Sequence, residues 1–157
     1  MIKVSSREQL IDIIQERINK YGNNCDLNDL DISLVTNLCY LFYLFPEFNG
    51  NISNWDTSNV LDFSFMFYKC KFNQDISNWK FDKALYMNNM FEDSKFNQDI
   101  SNWKFPEKLG TTQEMFLNSE FNQNISNWIL PEFCDTLGML KTKKIIEALR
   151  YKNIKIY

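Results

Sequence analysis

The stretch FNQDISNW, residues 72–79, recurs as FNQDISNW at 96–103, as FNQNISNW at 121–128 and, earliest in the chain, as FNGNISNW at 48–55. Cutting after each Trp gives units 31–55, 56–79, 80–103 and 104–128, of 25, 24, 24 and 25 residues. A fixed period in this range marks a repeat architecture whose units cannot bury an apolar face alone. Stacked neighbours bury it for one another, so the array is expected to fold as a whole.

Seven apolar positions recur in each unit. Unit 56–79 has Val60, Phe63, Met66, Phe67, Phe72, Ile76 and Trp79, and the next has Ala84, Met87, Met90, Phe91, Phe96, Ile100 and Trp103. The first has Val35, Leu38, Leu41, Phe42, Phe48, Ile52 and Trp55; the fourth has Leu109, Met115, Phe116, Phe121, Ile125 and Trp128, with Thr112 the single departure. The spacing of Val60, Phe63, Met66 and Phe67 fits one face of a short helix. Phe72, Ile76 and Trp79 are separated by Asn, Gln, Asp and Ser, which favour turns over helix interiors. A period this short holds one strand and one short helix, not two helices. The expected fold is an α/β solenoid, leucine-rich-repeat-like, with a short parallel strand around Asp75–Ser77 and a helical turn opposite it in each unit. Identical residues at one height should form ladders, with the amides of Asn54, Asn78, Asn102 and Asn127 about 4.8 Å apart.

The flanks read as caps, making 1–157 a single capped repeat domain. Residues 1–30 form the N-terminal cap: Ser5-x-x-Glu8 reads as a capping box, Leu10, Ile14 and Ile18 as a stripe beside Ile11 and Ile13, and Gly22 as a stop. Leu27, Leu30 and Ile32 suggest a first partial coil. Residues 31–128 are the four repeats, and 129–157 a degenerate repeat and C-terminal cap. A helix is expected near 141–151, followed by a final strand in KNIKIY.

FNQDISNW followed by DTSNV-x-x-F-x-x-MF resembles the BspA-like leucine-rich repeat family, including the mycoplasma domain of unknown function built on the same unit. The resemblance covers about residues 23–140 and implies a leucine-rich-repeat-like solenoid used for protein binding. Many members of that family are exported surface proteins or lipoproteins. This chain differs from them in showing no signal peptide and no lipobox Cys.

Composition narrows the chemistry. The chain has no His, which removes Ser-His-Asp and Cys-His nucleophilic machinery and the usual zinc sites. Four Gly supply no phosphate-binding loop. No apolar run reaches membrane-spanning length, and the four Cys show no paired spacing, so reduced thiols and a cytoplasmic location are expected. Residues 129–157 carry six cations against three carboxylates, which is +3 of a total of −3 and leaves −6 for the first 128 residues. That is too little positive charge, too diffusely placed, for a nucleic-acid footprint.

Asp75 and Asp99, one coil apart, invite comparison with the pair of a retaining glycosidase, about 5 Å apart. The same position holds Asn51 and Asn124, so a repeat-wide polar role accounts for it without catalysis. Trp55, Trp79, Trp103 and Trp128 read as core rather than as a stacking platform. The acids run in single file and do not converge as a metal would need. Neither catalytic residue, metal nor cofactor is assigned.

Positions that differ between units are free to recognise a partner. Along the column of Phe65 the units read Tyr40, Phe65, Asn89 and Glu114; along that of Tyr68 they read Tyr43, Tyr68, Glu92 and Leu117. On a helical wheel at 100° per residue the core centres near about 310°, with Phe65 near about 140° and Tyr68 near about 80°. Tyr40, Tyr43, Phe65 and Tyr68 should therefore form an exposed aromatic cluster, a composition typical of interface hot spots. The ladder with Asp75 and Asp99 is a second candidate face. The expected function is a non-enzymatic intracellular protein–protein interaction module, with no small-molecule substrate, membrane or nucleic acid as partner. The alternative is a small phage- or parasite-encoded inhibitor occluding a host enzyme such as a defence nuclease. A carbohydrate-binding or catalytic domain comes third.

Overall fold

The computed structural model describes residues 1–140. The helix expected near 141–151 and the strand in KNIKIY lie outside the described residues. The chain begins with β1 (Ile2–Lys3) and α1 (Arg7–Tyr21), and β1 pairs in parallel with β2 (Leu30–Asp31). The capping register is one residue later than the sequence suggested. Ser6 is the N-cap: its hydroxyl accepts from the Gln9 N–H at 3.2 Å, while the Gln9 side chain accepts from the Ser5 N–H at 2.7 Å. Gly22, at φ 82°, closes the helix by donating to the Ile18 carbonyl. Leu10 and Ile14 are fully buried, and Ile11, Ile13 and Ile18 pack against the same core. Arg7 donates to the Cys39 carbonyl and Arg17 pairs with Asp29, which ties α1 to the chain that follows.

From there on regular secondary structure is sparse, and a large buried aromatic cluster organises the molecule. All seven positions in all four units are buried, none more than 4% exposed. Phe42, Phe67, Phe91 and Phe116 stack in a column with centroids 5.2, 5.4 and 5.5 Å apart. Phe48, Phe72, Phe96 and Phe121 form a second at 6.2 Å intervals. Each Trp ring is held the same way: Trp55, Trp79, Trp103 and Trp128 donate through Nε1 to the carbonyls of Leu27, Ile52, Ile76 and Ile100 in the preceding unit. Burial removes these rings from water, and the bond leaves no indole donor unpaired. Thr112, the polar intruder, is also fully buried, with its hydroxyl on the Met139 sulfur at 3.0 Å.

The expected helix in each unit does not form. Among the described residues of the repeats the nearest approach is a 3₁₀ turn at Phe42–Leu44. The three-residue apolar spacing has a different cause: Val60, Met66 and Cys70 donate to Thr57, Phe63 and Phe67, each three residues back. Serial tight turns thus bring every third residue to a buried corner. The intervening N–H groups of Phe63, Phe65, Phe67 and Lys69 donate instead to Tyr86, Asn88, Met90 and Glu92 of the next unit. A helix would need those donors for itself. Parallel bridges link Asn37, Asp62, Tyr86, Thr111 and Asp135 in succession, so the sheet-like contact lies in the segment expected to be helical.

The expected strand around Asp75–Ser77 is also absent. Among the described residues a bridge exists near this height only at the start, between Asp26 and Asn51. Beyond it, side chains replace the backbone partner. The Asn49 amide oxygen accepts from the Asn73 N–H at 2.8 Å, Asn73 from Asn97 at 2.8 Å and Asn97 from Asn122 at 3.0 Å. Each oxygen also takes the side-chain amide of Gln74, Gln98 or Gln123. The amide ladder therefore belongs to the Asn of FNQ. The Asn of SNW makes scattered links, such as Asn102 to the Ser77 carbonyl. Gly50 stands where later units have Gln because a Cβ there would lie 2.0 Å from the Cys25 carbonyl.

Candidate functional site

Each unit presents two polar faces, one built by shared residues and one by differing ones. On the shared face, Asp75 accepts from the Ser77 N–H at 2.8 Å and Asp99 from that of Ser101 at 2.9 Å. Asn51 and Asn124 make the same bond to Ser53 and Ser126. These are Asx turns, in which the side chain substitutes for a backbone acceptor. The Ser101 N–H, then its hydroxyl, holds the Asp99 carboxyl below the usual carboxylate range. A general acid needs the opposite shift. Asp75, Ser77, Gln98, Asp99, Ser101 and Asn102 line a shallow cleft of about 450 Å³, and two of its acids are already committed to the chain's own backbone.

On the other face the column of Phe65 is set by backbone conformation. Tyr40, Phe65, Asn89 and Glu114 have φ of 56°, 57°, 55° and 51°, and Gly138 continues the column at 63°. Each left-handed residue directly precedes a buried core residue, Leu41, Met66, Met90 or Met115, while its own exposure varies: Phe65 and Glu114 are half-buried and Asn89 is buried. Tyr40 and Tyr43 are 38% and 45% exposed, and Leu44 beside them 50%. The four predicted rings do come together. Tyr40 stacks on Phe65 at 4.5 Å with planes 4° apart, and Tyr43 on Tyr68 at 5.5 Å. Edge contacts of 5.7 Å join Tyr40 to Tyr43 and Phe65 to Tyr68, closing a square. Left-handed turns, not the expected helix, set this column, and they leave Tyr40 and Tyr43 exposed but Phe65 and Tyr68 half-buried.

Sequence reasoning missed what borders the rings. Asn89, next in the column, donates to Glu92 at 2.8 Å and to Glu114 at 3.1 Å, gathering two carboxylates beside Phe65 and Tyr68. Lys69 sets its ammonium over the Tyr68 ring at 4.9 Å from the centroid. Partial burial, followed by the proximity of Cys39, Tyr68 and Glu92, raises the Tyr40 phenol above its ordinary value. The signal for this border was present in the same columns, which change from aromatic to acidic between the second and third units.

Elsewhere the chemistry is quiet. Cys25, Cys39, Cys70 and Cys134 are free, and burial lifts the Cys70 thiol to about 11 while its sulfur faces the Phe45 and Phe48 carbonyls. Among the described residues no cluster of acids and thiols could hold a metal ion, and no helix is long and apolar enough to cross a membrane.

These features define a repeat protein whose shared residues form a large buried aromatic core. The family model described as "Mycoplasma protein of unknown function, DUF285" matches residues 13–145, and the chain belongs to that family. No curated protein and no solved structure matches it.

Proposed function

We propose that this protein is a non-enzymatic interaction module that binds a protein partner through the face carrying Tyr40, Tyr43, Phe65 and Tyr68. The carrying observation is the placement of Tyr40 and Phe65 at left-handed positions. A non-glycine residue there costs roughly 1–2 kcal/mol, least for Asn and nothing for Gly. The third unit and the chain beyond the fourth use those cheaper residues at the same place, Asn89 and Gly138. Two bulky rings at such a position are better explained by what they present than by what they stabilise. Tyr40 and Tyr43 are exposed with Phe65 and Tyr68 half-buried beside them, and such a contiguous aromatic group is also the composition of interface hot spots.

We further infer that the units wind as one leucine-rich-repeat-like solenoid, with turns in place of helices. Parallel bridges between residues 24 or 25 positions apart, in succession from Asn37 to Asp135, support that winding. The four unpaired cysteines fit a reducing, intracellular setting. The direct test is a pull-down from the native host, followed by titration of the recovered protein. Tyr43→Ala with Phe65→Ala should weaken binding by at least ~2 kcal/mol while the thermal melt survives. Unchanged affinity with an unchanged melt would move the site to the face of Asp75 and Asp99 or elsewhere.

A further inference from the structure

Resting on that reading, the borders of the ring cluster indicate what kind of segment it receives. The aromatic square lies in the first two units, and in the next two the same columns hold Asn89, Glu92, Glu114 and Leu117. Asn89 spends both amide hydrogens on the two carboxylates, neutralising neither. Asp93 adds a third acid close enough to Lys69 to influence its ammonium. Two cations adjoin the cluster and keep their charge on neutral partners, Arg7 on the Cys39 carbonyl and Lys69 over Tyr68, so the three acids outnumber them by one. That second contact is informative in itself, because a ring of this cluster already receives an ammonium on its face. Aromatic faces attract cations through their quadrupole, and neighbouring carboxylates add to the same field.

From this arrangement we infer that the partner presents a basic segment, with Arg or Lys side chains packed beside the square of Tyr40, Tyr43, Phe65 and Tyr68, against ring faces that the stacking leaves open, and running toward Glu92 and Glu114. Guanidinium groups suit it best, since they stack flat on rings and pair with carboxylates through a planar fork. The −6 carried by the first 128 residues extends the same field over the molecule and would steer such a partner inward. Nucleic acid could stack bases on the rings, but its phosphates would then lie against Glu92, Asp93 and Glu114. The charge argues against it.

The test needs no identified partner. A phage-displayed library of random peptides of about twelve residues is selected on the full chain, and the survivors are synthesised and titrated. The expected result is enrichment of Arg and Lys among apolar residues. Binding should fall at least about tenfold in the Tyr43→Ala, Phe65→Ala variant and at least about threefold on raising salt from about 50 to about 500 mM. Phe65→Asn, which keeps a residue suited to left-handed backbone, serves as the folded control. Neutral or acidic peptides that still depend on the rings would overturn the basic-partner inference and leave the interaction reading standing. Basic peptides that bind the double variant equally well would overturn the placement, locating the attraction elsewhere on the acidic surface. Failure to enrich any ring-dependent peptide would remove both readings.

Discussion

The two faces of each repeat use their residues in opposite ways. On the FNQDISNW side the letters hardly change, and the Asn of FNQ and the residue before Ile hold backbone with their side chains. Asn73 accepts the Asn97 N–H and the Gln98 amide, and Asp75 accepts the Ser77 N–H. On the Phe65 side most hydrogen bonds between units are backbone to backbone, as from Phe65 to Asn88 and from Phe67 to Met90, with side-chain links from Ser64 to Asn88 and from Asn89 to Glu114 added. With the backbone pairing itself, side chains on that side carry less of the stack, and there the units diverge into Tyr, Phe, Asn and Glu. Where the side chain builds the stack it must repeat; where the backbone builds it, the side chain is free to present chemistry.

The contrast breaks most completely in the core that both faces share. Ile76 is fully buried and its carbonyl receives the Trp103 indole. Ile76→Asp would bury an unpaired charge at a cost of several kcal/mol. The whole array should lose its cooperative melt by circular dichroism, rather than one unit melting alone. A stable, fully folded variant would contradict mutual support between units.

A smaller effect separates the two asparagines of the motif. Asn73→Ala strands two donors of the next unit and should destabilise by about 1–3 kcal/mol. Asn78→Ala should stay within about 0.5 kcal/mol, as surface changes away from such bonds do. Denaturant unfolding of both measures the gap. Equal losses would return the ladder to the Asn of SNW.

How far this was legible in the sequence follows from the same contrast. The core positions were readable because burial sets identity, and Phe42, Phe67, Phe91 and Phe116 announce their column by spacing alone. The ring cluster was readable because Tyr40 and Phe65 break an otherwise uniform pattern. Backbone geometry was not. Residues three apart face the same way in a helix and in consecutive tight turns, so Phe63 and Met66 could not distinguish the two. Nor could the letters tell that the Asn97 N–H would find the side chain of Asn73 in place of a strand partner. The acids beside the rings were visible in the columns, but their gathering by Asn89 needed coordinates.

Acid provides a finer probe of the Asx turns. Ser33, Ser58 and Ser101 hold the carboxyls of Asp31, Asp56 and Asp99 below their ordinary range by donating to them. A carboxyl depressed by folding contributes fully above the unfolded value, and the contribution disappears as pH falls through that value toward the folded one. Melting temperature should thus vary little from these groups between about pH 7 and 5 and decline below about pH 4. Asp99→Asn keeps the turn that Asn51 and Asn124 already make, so it should preserve the neutral-pH melt and reduce the acid decline slightly. An Asp99→Asn variant that melts early at neutral pH would mean the charge, not the turn, holds that corner.

The most direct measurement is a thermal melt and a partner titration on the single variant Phe65→Asn. Asn is the residue the third unit uses at this left-handed position, so relief of backbone strain should offset much of the lost ring contact, worth about 0.5–1.5 kcal/mol. The account predicts a melting temperature within about 4 °C of the parent, with affinity for the partner reduced about tenfold or more. A large fall in melting temperature would mean that Phe65 belongs to the core, and unchanged affinity would mean that the divergent face is not where this protein binds.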